Sequence, residues 1–146
     1  DVPGQLDLVV TAYNKIPYET SINVIAPDGA YIILDDLITS AGEDDILDFG
    51  ENASFHVEIE NVGQEASGDL LINLSHDGTM INVLTDELTH TSVDPGELAT
   101  VGPFDVEVSW NVDDGSVAPI IVTVSGENQQ WEHEMSVHIE APSFLI

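Results

Sequence analysis

Residues 53–60 read Ala-Ser-Phe-His-Val-Glu-Ile-Glu, a strict alternation of apolar and polar side chains. A period of two places one set of side chains in a core and the other in water, so the stretch predicts a strand of an antiparallel sheet. The turn signal Asn-Val-Gly at 61–63 ends this strand. The side chains that we expect to face the core are Ala53, Phe55, Val57 and Ile59.

The same alternation recurs on both sides of this strand, and no helical period is sustained. The alternating stretches lie at residues 6–12, 22–26, 70–74, 80–84, 104–110, 118–124 and 131–139. Turn signals separate them at intervals of roughly 8–12 residues, which is typical of a sandwich. The sequence therefore predicts an all-β fold, an immunoglobulin-like (Ig-like) antiparallel β-sandwich, preceded by an N-terminal β-hairpin over residues 5–26.

A short repeat suggests the domain organisation. Residues 21–27 read Ser-Ile-Asn-Val-Ile-Ala-Pro and residues 136–142 read Ser-Val-His-Ile-Glu-Ala-Pro, and an aromatic–aliphatic stretch follows each. Proline cannot continue a central ladder, so each copy is expected to end a strand. The spacing is close to the length of an Ig-like domain, which favours a tandem array over a chance recurrence. The predicted units are the terminal hairpin of a preceding Ig-like domain at 1–27, a complete Ig-like domain at 28–141, and the start of a following segment at 142–146.

The charge of the chain is extreme, with 28 acidic residues against the single basic residue Lys15 and a formal net charge of −27. Nucleic acid is excluded as a direct partner because phosphate binding needs Lys and Arg, and anionic membrane surfaces are excluded for the same reason. No apolar stretch approaches the ~18 residues of a membrane span. The chain has no cysteine, so disulfides and thiolate sites are excluded. The acidity fits a solvated surface, a saline habitat or bound divalent cations.

The densest candidate site is the acidic stretch at residues 42–51, which reads Gly-Glu-Asp-Asp-Ile-Leu-Asp-Phe-Gly-Glu. Calcium prefers about six to eight oxygen ligands in a flexible loop, although the spacing here is not that of an EF-hand. We expect either a structural calcium site or a plain solvated loop. The turn at 113–115 is a weaker candidate. The predicted calcium ligands are Asp36, Asp44, Asp45, Asp48 and Glu51.

No catalytic constellation emerges from the sequence. The five histidines are scattered and are expected at the surface, and no serine lies in a Gly-x-Ser-x-Gly elbow. Trp110 and Trp131 suit a sugar-binding platform, but both fall in register with core positions, so we expect them to be packed. The chain is therefore not expected to be an enzyme.

Two family resemblances add to this interpretation. Residues 5–26 resemble the closing hairpin of the Ig-like domain that follows the catalytic domain in gingipain-type cysteine peptidases, and the motif that carries the resemblance is Leu-Val-Val-Thr-Ala-Tyr-Asn-Lys at 8–15. Residues 30–141 resemble Ig-like modules that follow such peptidases, and other surface proteins, in Bacteroidetes-type bacteria. The matching motifs are Ile-Leu-Asp-Phe-Gly-Glu at 46–51, Asn-Val-Gly at 61–63, and the late strand with Trp131, Met135, Val137 and Ile139. Phe49 stands where the family usually has proline.

The resemblance implies secretion and a role beside a peptidase, without the catalytic cysteine of that family. We expect a non-catalytic accessory or spacer domain of a secreted or cell-surface multidomain protein. Its partners would be the neighbouring domains of the same polypeptide, and exposed strand edges add the expectation of a homodimer. The rival interpretation is a glycan- or protein-binding adhesion module, which predicts solvent-exposed aromatic side chains.

Overall fold

The computed structural model describes residues 4–25 and 27–140. Every regular element in these ranges is a strand, which confirms the predicted all-β class. The described part of the chain has no helix of the length and hydropathy needed to cross a membrane. The strands are β1 (Gly4–Val10), β2 (Tyr18–Val24), β3 (Ile32–Ala41), β4 (Leu47–Asp48), β5 (Asn52–Asn61), β6 (Leu70–Ser75), β7 (Ile81–Val83), β8 (Glu87–His90), β9 (Leu98–Val108), β10 (Ser116–Ser125) and β11 (Gln130–Glu140).

Two sheets form the sandwich, and a third is the N-terminal hairpin. One sheet has the strand order β4-β11-β10-β6-β8, the other has the order β3-β5-β9-β7, and β1 pairs only with β2 in the described residues. All pairs are antiparallel except β4 with β11, which run parallel. This arrangement is an Ig-like sandwich with an N-terminal hairpin, as the sequence predicts.

The core receives alternate side chains from both sheets. The stretch at 53–60 supplies four buried apolar residues from β5, as predicted, and β10 supplies four more across the sandwich. Each fully buried Val, Ile, Leu or Phe side chain stabilises the fold by about 1.5–3 kcal/mol. The largest buried side chains include Phe55, Phe104, Ile32, Ile59 and Leu70.

The prediction for residues 104–110 is wrong at both ends. Strand β9 begins earlier, at Leu98, because a register shift against β5 accommodates the Gly102-Pro103 step within the strand. It also ends earlier, at Val108, because the chain then turns, with the Asn111 N–H donating to the Ser109 Oγ at 3.2 Å. Trp110 therefore lies beyond the strand and is 71% exposed, so its predicted place in the core is wrong.

The chain enters the sandwich at one end and leaves it at the other. The entry end holds the start of β3 and the start of β11, because His133 Nε2 lies 3.2 Å from the Ile32 carbonyl. The exit end holds the end of β3 at Ala41 and the end of β11, where Glu140 pairs with Asp48. The predicted segment at 142–146, and the second Ala-Pro at 141–142, lie outside the described residues.

Candidate functional site

The acidic stretch at residues 42–51 lies at the exit end, between β3 and β5. It is not a free loop, because it contains β4, whose Leu47 pairs with Ile139 and is buried. The Phe49 N–H continues this pairing by donating to the Glu140 carbonyl at 3.2 Å. The stretch therefore holds the last residues of β11, next to the point where the chain leaves the sandwich.

Several carboxylates of this stretch accept hydrogen bonds from the local backbone. Asp45 Oδ1 accepts from the Ala41 N–H at 3.3 Å, and Asp44 Oδ1 accepts from the Ile46 N–H at 3.2 Å. Glu51 Oε2 accepts from the N–H of residue 48 at 3.1 Å. Short acidic side chains commonly close turns in this way. These bonds give the acidic residues a structural role that needs no cation.

The structure brings only some of the predicted calcium ligands together. Asp44, Asp45, Asp48 and Glu51 share one segment, whereas Asp36 lies within β3, where it pairs with Glu58. Five strand residues separate Asp36 from the end of β3, a distance of roughly 17 Å. Asp36 Oδ1 accepts instead from the N–H of residue 37 at 2.8 Å.

No group of three or more His, Cys, Asp or Glu side chains is arranged to hold a metal ion in residues 4–25 and 27–140. The weaker candidate at 113–115 is a tight turn, in which the Ser116 N–H donates to the Asp113 carbonyl at 3.1 Å. Calcium binding by the acidic stretch stays a prediction.

Trp110 and Phe49 form an aromatic pair at the exit end. Their ring centroids lie 5.6 Å apart and the rings are nearly perpendicular, at 81°. The indole of Trp110 also lies against Gly50, where any Cβ would collide with its ring atoms. One face of the indole is therefore supported by the backbone while the rest of the ring is open to solvent. From the sequence, Trp110 is a candidate for a sugar-binding platform but is assigned to the core, because the apolar period of β9 continues through it.

Trp131 behaves as the sequence predicts. It is half-buried and packs against the core, and its ring meets that of Tyr31 edge-on at 6.4 Å. The two remaining tyrosines, Tyr13 and Tyr18, lie exposed on the hairpin. The tyrosine and tryptophan residues therefore divide between packing at the entry end (Tyr31 and Trp131) and exposure elsewhere (Tyr13, Tyr18 and Trp110).

Four of the five histidines (His56, His76, His90 and His133) are half-buried, and two of them bond to distant backbone carbonyls. His76 Nδ1 lies 2.8 Å from the Pro119 carbonyl, and its buried Nε2 has no hydrogen-bond partner among the described residues. His133 is half-buried and bonds the start of β3, as described above. Both contacts are to backbone carbonyls, so these rings fasten strands together.

Asn61 organises the entry end. Its side chain is fully buried, and its Oδ1 accepts from the N–H groups of Tyr31 at 3.1 Å and Gly63 at 3.0 Å. Its Nδ2 donates to the carbonyls of Glu65 at 2.8 Å and Val93 at 2.9 Å. All the hydrogen-bonding groups of the amide are thereby used. The residue that the sequence marks as a turn thus joins three segments where the chain enters.

Comparison with two solved structures of one bacterial protein supports the fold, and a third, weaker similarity adds nothing to that argument. The native conformation of Escherichia coli alpha-2-macroglobulin matches 97% of this chain and 8% of its own length, with 17% identity and a TM-score of 0.62. A crystal structure of the same E. coli protein, from domain MG7 to the C-terminus, matches 80% of this chain and 17% of its own, with 15% identity and a TM-score of 0.52. The CARDB domain of a Pyrococcus furiosus protein matches 90% of this chain and all of its own length, with 17% identity and a TM-score of 0.47.

No protein-family model matches the chain, and neither does any curated protein sequence. This chain spans less than a fifth of the length of the alpha-2-macroglobulin chains that it matches. At these identities the likeness concerns the fold alone. The chain is an Ig-like β-sandwich with an N-terminal hairpin, an architecture that recurs within a larger bacterial protein.

Proposed function

We propose that this chain is a non-catalytic spacer module in a tandem array of Ig-like domains of a secreted or cell-surface protein. In this proposal the hairpin β1–β2 is the last hairpin of a preceding sandwich, and residues 28–141 form the next module. The neighbouring domains of the same polypeptide are its main partners. The peptidase resemblance of residues 8–15 supports a parent protein of the gingipain type.

The observation that carries the proposal is the shared register of two hairpins. In β1–β2, Leu6 pairs with Ile22 and Val10 with Tyr18. In β10–β11, Ala118 pairs with Val137 and Val122 with His133. When the Ser-x-x-x-x-Ala-Pro repeats of β2 and β11 are superposed, the apolar residues of β1 fall on core residues of β10: Leu6 on Ala118, Leu8 on Ile120 and Val10 on Val122. The hairpin β1–β2 thus has the layout of the final hairpin of a complete sandwich.

The burial of the two hairpins differs sharply. Leu6, Leu8 and Val10 are 54%, 41% and 52% exposed, whereas their counterparts in β10 are fully buried by the opposite sheet. A lone two-stranded hairpin is marginally stable in water, and a strand this apolar needs cover. The occupant favoured by the shared register is the opposite sheet of a preceding sandwich.

The ends of the sandwich support the spacer role. The chain enters at the corner held by Asn61 and leaves at the opposite end, beside the acidic stretch at 42–51. Neighbours attached there are kept one domain length apart by a rigid body. The proposal includes calcium bound at the acidic stretch, where it would stiffen the exit end by bridging carboxylates.

Hydrogen exchange tests the proposal directly. The chain is compared with a version extended upstream by one domain length of its parent gene, about 100 residues. We expect the β1 and β2 amides to exchange about a hundredfold more slowly in the longer protein, because they gain a covering sheet. The β10 and β11 amides are the internal control and stay protected in both. Equal exchange of the hairpin in both proteins would show that no preceding sandwich covers it.

The oligomeric state of the chain alone gives a second measurement. Uncovered strand edges promote pairing between copies, so we expect concentration-dependent dimers of the chain and monomers of the extended version. Light scattering distinguishes the two. Dimers of equal strength in both proteins would contradict the assignment of the hairpin to a preceding domain.

A further inference from the structure

We propose that a groove beside Trp110, at the exit end of the sandwich, binds a neutral glycan. This exit groove has a volume of about 320 Å³, and the side chains that the argument uses are Thr79, Asn82, Glu107, Trp110 and Asn111. The inference goes beyond the spacer role, and it does not depend on the tandem arrangement.

The indole of Trp110 is a fixed platform. Gly50 supports one face and Phe49 meets the ring edge-on. The backbone beneath is anchored, because the Gly50 N–H donates to the Ser109 carbonyl at 3.3 Å and the Ser109 N–H donates to the Met80 carbonyl at 2.8 Å. A ring held in this way loses little conformational freedom on binding, which favours recognition by stacking.

A row of polar side chains crosses the sheet next to this platform. Asn52 of β5 and Asn82 of β7 both pair with Glu107 of β9, so the three lie side by side on the outer face. The alternation is clear from β9, where the flanking Val106 and Val108 are buried in the core. The row therefore presents an amide, a carboxylate and a second amide toward solvent. Two of its members, Glu107 and Asn82, also line the exit groove.

These groups match the chemistry of a sugar. A pyranose ring has a face of C–H bonds that stacks on an aromatic ring, and its hydroxyl groups both donate and accept hydrogen bonds. The amides of Asn82 and Asn111 also donate and accept, the Glu107 carboxylate accepts, and Thr79 adds a hydroxyl. A small number of polar groups beside an aromatic surface is typical of small-molecule binding sites.

The charge of the chain narrows the class of glycan. A formal net charge of −27 repels sulfated or uronate-rich polymers, so the expected ligand is neutral. A basic protein segment is the competing ligand, because a cation can lie over an indole face. Glu107 is the one charged side chain that lines the exit groove, and the other polar groups there are amides and hydroxyls, a lining that favours a hydroxyl-rich ligand over a cation.

The experiment titrates the chain with named probes. Cellohexaose, mannohexaose and chitohexaose (the N-acetylated form) represent neutral glycans, hexagalacturonate represents an anionic one, and a seven-residue Arg-Gly peptide represents a basic segment. Binding is followed by NMR on the backbone amides of residues 79–82 and 107–111 and on the indole N–H of Trp110. Trp131→Phe leaves Trp110 as the sole tryptophan of the chain, so fluorescence then reports the groove alone.

We expect at least one neutral hexasaccharide to give saturable shifts in these signals. Trp110→Ala is expected to weaken that binding about tenfold or more, and Asn82→Ala about threefold, as loss of a stacking or a polar contact requires. Leu84→Ala is the matched control, because Leu84 is exposed directly after β7 and outside the exit groove. Thermal melting confirms that each variant is folded.

Three results would overturn the proposal. The first is the absence of saturable shifts with every neutral hexasaccharide. The second is equal binding by Trp110→Ala and by the unaltered chain, which would place the glycan elsewhere. The third is binding of the Arg-Gly peptide alone, which would make the exit groove a contact for a basic protein segment.

Discussion

The hairpins β1–β2 and β10–β11 have the same register but opposite surroundings. Ile120 of β10 is fully buried between two sheets, while its counterpart Leu8 of β1 is 41% exposed. Both strands carry the apolar pattern of a sandwich interior. The comparison shows that alternating apolar side chains identify a strand and the face that suits a core. Whether that face is buried depends on a second sheet that packs against it.

The largest expected effect comes from truncating these two counterparts. Ile120→Ala removes a fully buried side chain and leaves a cavity, so we expect a loss of about 2–5 kcal/mol in the free energy of unfolding. Leu8→Ala in the same chain is expected to change it by less than about 0.5 kcal/mol, because no sheet covers the site. Urea denaturation measures both, and equal losses would mean that the hairpin is already packed in this chain.

The second prediction concerns the corner through which the chain enters the complete sandwich. Asn61→Ala removes an amide that satisfies four backbone groups, including the N–H of Tyr31 and the carbonyl of Val93. Leaving several of them unpaired in the interior is expected to cost roughly 2–4 kcal/mol. Asn73→Ala is the matched control, since the Asn73 amide donates to the Glu87 carboxylate at 3.2 Å on the exposed face of the sheet. A loss as small as that of the control would show that water replaces the amide.

The third prediction tests the acidic stretch at 42–51. We expect calcium to raise the melting temperature, with a stabilisation that grows with the logarithm of its concentration and reaches about 2.7 kcal/mol at a hundredfold excess over Kd. Asp48→Asn is expected to abolish this rise, whereas Asp36→Asn keeps it because Asp36 lies far along β3. Sodium chloride at matched ionic strength is the control. An equal rise with sodium chloride would mean that both salts only screen the surface charge.

Most of the sandwich could be predicted from the sequence because its strands alternate cleanly. The four apolar residues of β5 and the four of β10 are buried as the period of two requires. Strand β3 was harder to predict. Its acidic pair at 35–36 coincides with a register shift against β5 and resembles a loop in sequence. A local irregularity of that kind makes a strand hard to recognise from sequence, because it interrupts the alternation of side chains while the pairing with the neighbouring strand continues.

The exit groove could not be predicted from the sequence, for a different reason. The position of Trp110 continues the apolar period of β9, so the pattern alone assigns it to the core. Its exposure depends on a turn directly after β9, in which the Asn111 N–H donates to the Ser109 Oγ at 3.2 Å. The sequence also gives no sign of the role of Gly50. Its lack of a side chain leaves room for the indole of Trp110, which lies beyond the end of β9.

The smallest expected effect comes from two glycine substitutions, which distinguish the contact of Gly50 with the Trp110 indole from backbone strain. Gly50 and Gly68 have nearly equal positive φ angles, 69° and 70°, but only Gly50 lies against the indole of Trp110, while Gly68 faces open space. Gly68→Ala is expected to cost about 1 kcal/mol of strain, and Gly50→Ala the same strain plus displacement of the indole. In the Trp131→Phe background, the emission of Trp110 reports that displacement. We expect its emission maximum to shift in Gly50→Ala and to stay unchanged in Gly68→Ala. Identical spectra would mean that the indole is not supported by Gly50, and the fixed platform on which the glycan proposal stands would be lost.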